Sequence, residues 1–153
     1  MDAASDMTAP ASRPPRVRRA VWVARLAFLA VFVANVQCAV QFVLWPEAYA
    51  GGFELAGVPG AAAVRGIGVA FLMWNATYPA VIASPLRFRA LAVVVLAQQL
   101  VGLVGETWIR LSLPAGHVLL AASIERFVAF DAAGLVLMAA AFVWLMLAAR
   151  KMS

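Results

Sequence analysis

The chain has 153 residues, of which 65% are hydrophobic and only 12% carry a charged side chain. Soluble globular domains contain about 25% charged residues, so this composition is typical of a protein that lies in a lipid bilayer. The formal net charge of +5 does not indicate a nucleic-acid partner, because most of the basic residues lie at the termini or at one connection and are typical of topology signals. These bases are Arg13, Arg16, Arg18, Arg19, Arg25, Arg87, Arg89, Arg150 and Lys151.

The first part of the chain differs in composition from the rest. Residues 1–19 combine prolines and small residues with a basic run, which predicts a disordered basic tail at the cytoplasmic membrane surface. A cleaved signal peptide is the alternative, but the apolar stretch that follows is too long and lacks a typical cleavage site. Residues 20–150 are then predicted to form one transmembrane domain.

Four apolar stretches are long enough to cross a hydrocarbon core of about 30 Å as helices. They predict transmembrane helices at about residues 20–45, 61–83, 90–113 and 122–149. Because the connections are short, neighbouring helices should run antiparallel. The predicted fold class is therefore all-α, a polytopic membrane protein built as an antiparallel bundle of four transmembrane helices.

Two details of these stretches carry further predictions. Pro79 cannot donate a hydrogen bond to the carbonyl of Asn75, which predicts a kink in the second helix. Gly66 and Gly68 predict a close approach of a neighbouring helix. Residues 118–123 form either a turn at the membrane interface or the start of the fourth helix, and the pattern does not decide between them.

The distribution of basic residues predicts the orientation in the membrane. Cytoplasmic connections of membrane proteins are enriched in lysine and arginine. If the amino-terminal tail is cytoplasmic, that side collects the nine bases named above, and the other side has only Arg65, Arg110 and Arg126. Both termini are therefore predicted to be cytoplasmic, in the inner (plasma) membrane of a bacterium.

Acids and bases are predicted to meet at the outer end of this bundle. Charged groups at membrane depth are costly and are normally paired or lined by water. The candidate polar cluster comprises Arg65, Gln99, Glu106, Arg110, Arg126 and Asp131, with Asp131 near the outer edge of the lipid. Ionic contacts are expected among its charged members. The cluster is interpreted either as a structural clasp between the second, third and fourth helices or as a site for a headgroup, a small substrate or a proton.

The residue types required by the common catalytic and metal sites are scarce. His117 and Cys38 are the only histidine and the only cysteine, so one chain cannot assemble a zinc tetrad, a bis-histidine haem site or an internal disulfide. The serines have no histidine partner in a recognisable motif. The sequence therefore indicates no catalytic residue, no metal site and no cofactor, and an enzyme is not favoured.

Short motifs along most of residues 21–149 resemble the DoxX-like group of small four-helix bacterial membrane proteins. They are Pro46-Glu47 after the first helix, Val64-Arg65-Gly66-Ile67-Gly68 in the second, Gly105-Glu106 in the third, and an acid in the fourth. The resemblance implies the same four-helix fold. Members of that group have been linked to quinol oxidation and to oxidative-stress complexes, but this chain lacks a cofactor motif that would carry such a role.

The predicted function is a small integral inner-membrane protein of DoxX-like type, a non-catalytic subunit or a self-associating module. The alternatives are a membrane redox or lipid-modifying enzyme subunit and a proton- or ion-coupled carrier, each using the polar cluster as its site. The expected partners are the lipid bilayer, other membrane subunits or further copies of the chain, and a quinone or a lipid.

Overall fold

The structure, a computed structural model, describes residues 14–150 of the chain. Its helices are α1 (Pro15–Leu44), α2 (Pro46–Ala50), α3 (Gly57–Asn75), α4 (Tyr78–Ala83), α5 (Arg89–Ser112) and α6 (Val118–Arg150), with a 3-10 turn at Gly51–Phe53. Four spans are long and apolar enough to cross a membrane: α1, α3 together with α4, α5, and α6. The predicted all-α bundle of four transmembrane helices is confirmed, and the chain is a multi-pass membrane protein.

We call the end of the bundle that carries residues 45–56 and 113–117 the distal end. The opposite end, which carries residues 84–88 and the two ends of the described chain, is the terminal end. The distal end is the one that the sequence predicts to face outward.

All four spans begin earlier than the sequence pattern predicts, α5 by one residue and the others by four or five. α1 begins at Pro15, so residues 15–19 form its first turns although the pattern places them in a disordered tail. A proline fits the first position of a helix because the N–H that it lacks would have no partner there. The rest of the predicted tail, residues 1–13, lies outside the described residues. α6 begins at Val118, so residues 118–123 are the start of the fourth span.

The second span is interrupted where Pro79 predicts a kink. α3 ends at Asn75 and α4 begins at Tyr78, with two residues in a turn between them. The side chain of Asn75 turns back along α3, and its Nδ2 donates to the carbonyl of Phe71 at 2.8 Å. The interruption divides this span into a distal part, α3, and a terminal part, α4.

These two parts of the second span have different neighbours. α3 packs against α1, and α4 packs against both α1 and α5. Gly68 permits the first contact, because a Cβ atom there would lie 2.8 Å from the carbonyl oxygen of Ala39 and 2.9 Å from the Cβ of Phe42. Gly66 has open space around it. The predicted close approach therefore holds for Gly68 alone.

The terminal half of the bundle is filled by apolar side chains from all four spans. Phe28 of α1, Val81 of α4, Val95 of α5 and Met138 of α6 belong to one cluster, and each is completely buried. Apolar side chains gain little from leaving lipid, so such contacts stabilise the bundle mainly through close packing. Outside the core, many large apolar side chains are exposed, as expected for helices that face lipid.

Candidate functional site

A cavity of about 240 Å³ lies inside the distal half of the bundle. We call it the distal cavity. Its walls come from α1, α3, α5 and α6 and combine polar and aromatic side chains. The lining residues are Ala34, Asn35, Cys38, Phe71, Trp74, Asn75, Gln99, Gly102, Glu106, Arg126, Phe127, Phe130 and Asp131.

The interruption of the second span explains why a cavity forms at this level. α4 closes the terminal half by packing against α5, whereas α3 packs against α1. Within residues 14–150, α3 and α5 have no extensive contact. Trp74, at the end of α3, reaches across towards α5, where its ring would lie 3.3 Å from a Cβ atom placed on Gly102. The separation of α3 from α5 leaves room for the distal cavity.

The centre of the site is a hydrogen bond between the third and fourth spans. Gln99 is buried, and its Nε2 donates to Oδ1 of Asp131 at 2.8 Å. The hydroxyl of the fully buried Tyr78 donates to Oε1 of Gln99 at 3.4 Å. The amide oxygen and the amide nitrogen of Gln99 therefore connect α4 and α6. These contacts orient the carboxylate of Asp131 towards the cavity.

Two glycines provide the space for this contact. A Cβ atom on Gly134 would lie 3.2 Å from Nε2 of Gln99. A Cβ atom on Gly102 would lie 2.7 Å from Oδ2 of Asp131, closer than two such atoms can approach. The small residues on α5 and α6 therefore allow the amide and the carboxylate to fit between the helices.

Asp131 lies in the interior of the bundle and not at a helix end. It is level with Gln99, which is about 15 Å from the start of α5 at 1.5 Å per residue. The prediction that Asp131 lies near the outer edge of the lipid was drawn from the charge-free length of residues 132–149 and stays a prediction. Because α6 continues to Val118 on the distal side, Asp131 lies well inside the helix.

Glu106 and Arg126 complete the polar part of the cavity. Glu106 is half-buried and faces the cavity from α5. Arg126 is exposed at the distal rim, where its Nη2 donates to the hydroxyl of Ser123 at 3.0 Å. Four members of the candidate cluster, Gln99, Glu106, Arg126 and Asp131, thus border one cavity.

The other two members of the candidate cluster lie outside the cavity. Arg65 is exposed on the α1 side of α3, and its Nε donates to the carbonyl of Val43 at 3.1 Å. Arg110, one turn beyond Glu106, forms an ion pair with Glu125 at 2.7 Å. No ion pair joins members of the candidate cluster within residues 14–150, so the expected ionic contacts among them are absent there. Side-chain direction explains this, because long arginines extend away from their own helix position towards the nearest acceptor.

The terminal side of the cavity is closed by packed apolar side chains. Tyr78 lies beneath the polar centre and contacts Phe28 and Phe32 of α1, with ring centroids 6.3 and 5.8 Å apart. Phe28 and Tyr78 belong to the buried apolar cluster that also contains Val81 and Met138. The distal cavity therefore has no polar continuation towards the terminal end within the described residues.

The connection of residues 45–56 forms hydrogen bonds with the connection of residues 113–117 and with the start of α6. We call these two segments the distal connections. The carboxylate of Glu54 contacts Nδ1 of His117 at 2.6 Å and accepts the backbone N–H of Leu120 at 3.2 Å. Both contacts lower the pKa of Glu54 below its ordinary value, the histidine contact more strongly. The acceptor also satisfies a free N–H at the start of α6, where negative charge is favourable. In addition, the Ser123 hydroxyl donates to the carbonyl of Gly52 at 2.6 Å.

Sequence reasoning missed the aromatic part of the site. Phe71 and Trp74 from α3 and Phe127 and Phe130 from α6 line the cavity, and the rings of Phe71 and Phe127 are 6.0 Å apart. A signal for two of them was present: Phe127 precedes Asp131 by four residues and so lies on the same helical face, and Phe130 lies three residues after Phe127 and so adjoins it. Within residues 14–150, no three His, Cys, Asp or Glu side chains come close enough to hold a metal ion.

Comparison with known proteins adds no relative from which a role can be transferred. No family model, curated protein or solved structure matches the chain significantly.

Proposed function

We propose that the chain is a membrane-embedded binding protein of DoxX-like type that holds a small amphipathic molecule in the distal cavity. It has no catalytic activity of its own and acts as a subunit or a self-associating module. We place it in the inner membrane of a bacterium, with both termini in the cytoplasm and the distal end facing outward, as the distribution of bases indicates.

The observation that carries this proposal is the distal cavity itself. A cluster that served only as a clasp would bring its charged members into direct contact, whereas here Glu106 and Asp131 border an open space. Ligand sites are typically apolar cavities with a few convergent polar groups. The distal cavity has this composition, with aromatic rings on α3 and α6 and polar groups at its centre.

The architecture supports entry from the membrane. Because α3 and α5 are not packed closely in the distal half, an amphipathic molecule in the adjacent leaflet can reach the cavity sideways. The apolar cluster around Met138 separates the cavity from the terminal end. This separation favours a binding protein over a proton- or ion-coupled carrier, which requires a second polar path on that side.

Purification with native lipids, followed by mass spectrometry of the bound small molecules, tests the proposal. Ala34 lines the cavity and Ala30 is exposed on the same helix, so they form a matched pair. We expect one amphipathic molecule to be enriched with the wild type and with Ala30→Leu, and to be lost from Ala34→Leu because leucine fills the cavity. Equal recovery of the same molecules from all three proteins would mean that only bulk lipid is bound, and the proposal would fail.

A further inference from the structure

The polar atoms that face the distal cavity include several hydrogen-bond acceptors without a donor. The side-chain amide nitrogens at the cavity are already used, because Nδ2 of Asn75 donates to the carbonyl of Phe71 and Nε2 of Gln99 donates to Asp131. The second oxygen of Asp131 and the carboxylate of Glu106 accept no hydrogen bond from the described residues. Buried acceptors without donors are unfavourable, so the cavity is suited to a ligand that supplies N–H or O–H groups.

The charges around the cavity favour a positive ligand. Glu106 and Asp131 contribute two carboxylates, and Arg126 is the single base among the lining residues. Arg126 forms no ion pair with either acid in the described part of the chain, and its guanidinium is held at the rim by Ser123. Carboxylates inside a membrane protein are normally neutralised by a partner. A cation inside the cavity would supply that partner.

The aromatic walls are compatible with such a cation. Phe71, Trp74, Phe127 and Phe130 contribute ring faces or edges to the same cavity as the two carboxylates. The face of an aromatic ring attracts organic cations, most strongly when water is excluded. The rings also provide an apolar surface for the uncharged part of a ligand.

We infer that the ligand class of the distal cavity is an organic ammonium ion, an amine carried on a small apolar body. Its N–H groups bind the carboxylates of Glu106 and Asp131, and its apolar body packs among the aromatic rings. A primary ammonium has three N–H donors, which can be shared among the oxygens of these two carboxylates. This inference rests on the proposed binding function and specifies the ligand of the same site.

The single cysteine provides a reporter for this inference. Cys38 is half-buried and lines the cavity, so a ligand inside the cavity should slow its alkylation by N-ethylmaleimide. The full-length protein in detergent micelles is titrated with three probes of similar size: 2-phenylethylamine, 2-phenylethanol and phenylacetate. We expect half-maximal protection at an amine concentration about tenfold lower than for the alcohol, with the anion weakest.

Matched variants assign the preference to the cavity. Glu106→Gln keeps the shape of the side chain and removes its charge, so the amine should lose most of its advantage over the alcohol. Glu125→Gln neutralises an acid that lies outside the cavity and pairs with Arg110, so the preference should remain. A protein with Cys38→Ala and Val40→Cys places the thiol on an exposed position of α1 and should show no protection.

The outcomes separate this inference from the proposed function. Equal protection by the amine and the alcohol would overturn the inference, because a proton or a neutral ligand would then suffice, and would leave the binding function standing. A preference for the amine that survives Glu106→Gln unchanged would also overturn it. If no probe protects Cys38, or if the cysteine at position 40 is protected equally, both the inference and the proposed function fail.

Discussion

The two halves of the bundle are built from the same four spans but are filled differently. In the terminal half, α4 packs against both α1 and α5, and apolar side chains such as Phe28 and Met138 fill the interior. In the distal half, α3 packs against α1, and a cavity lined by carboxylates, amides and aromatic rings occupies the centre. One interruption in the second span therefore separates a closely packed region from a region with space for a ligand.

The largest difference between the halves should come from truncating a buried ring. Phe28→Ala should lower the free energy of unfolding by about 3–5 kcal/mol, because it opens a new void in a fully packed region. Phe130→Ala should cost clearly less, because part of that ring already borders the distal cavity. Unfolding by dodecyl sulphate in mixed micelles, followed by circular dichroism, measures both values.

A control on the outer surface completes this test. Leu26 lies on the same helix as Phe28 and is 58% exposed, so Leu26→Ala should leave stability nearly unchanged. If Phe130→Ala proved as damaging as Phe28→Ala, the distal half would be as tightly packed as the terminal half. The contrast between the two halves would then be lost.

The next effect concerns the contact that holds α3 on α1. Gly68→Ala should destabilise the bundle by about 1–3 kcal/mol, because the added methyl group meets the Ala39 backbone, which cannot move aside easily. Gly66→Ala is the matched control, since it adds the same group in open space on the same helix. Alanine is the better helix former, so this control should be neutral or stabilising by up to about 1 kcal/mol.

Thermal unfolding of the two glycine variants beside the wild type gives the comparison. Equal stability of Gly68→Ala and Gly66→Ala would show that α3 is not held on α1 by this close approach. The position of α3 would then not explain the width of the distal cavity.

The fold was largely predictable because its determinants are local. Span length, apolar composition and the loss of one hydrogen-bond donor at Pro79 act within a few residues, so they can be recognised without knowledge of the neighbours. Part of the site is local in the same sense, since Gln99 and Glu106 are seven residues apart, which is about two helical turns and places them on one face of α5. Helical periodicity, however, does not give the distances between helices.

The errors concern the properties that depend on neighbours. Arg65 was grouped with the cluster because it lies at the same end of the bundle, and Arg110 because it lies on the same helical face as Glu106. Their side chains contact Val43 and Glu125 instead. The fourth span was predicted to begin at about residue 122, whereas the helix continues through Glu125 to Val118 on the distal side. Partner choice and rotation of a helix are set by tertiary packing, which a single sequence does not specify.

The smallest effect on stability should come from the contacts of Glu54 between the distal connections and the start of α6. Glu54→Gln should reduce thermal stability modestly at neutral pH, because the neutral amide is a weaker partner for His117 and for the N–H of Leu120. Glu47→Gln, at another exposed acid of the same connection, is the matched control. In His117→Asn the Leu120 contact remains, so this variant separates the two contributions.

The stabilisation that Glu54 provides should depend on pH. The contact with His117, followed by that with the Leu120 amide, lowers the pKa of Glu54 below its ordinary value of 4.5. The carboxyl group therefore binds a proton more weakly in the folded chain than in the unfolded one, so ionised Glu54 stabilises the fold. This contribution is complete above pH 4.5 and is lost as the pH falls through the lowered pKa. The difference in melting temperature between wild type and Glu54→Gln should therefore shrink as the pH falls below 4.5. A difference that stays constant over this range would show that the ionised carboxylate of Glu54 does not stabilise the contact between the distal connections.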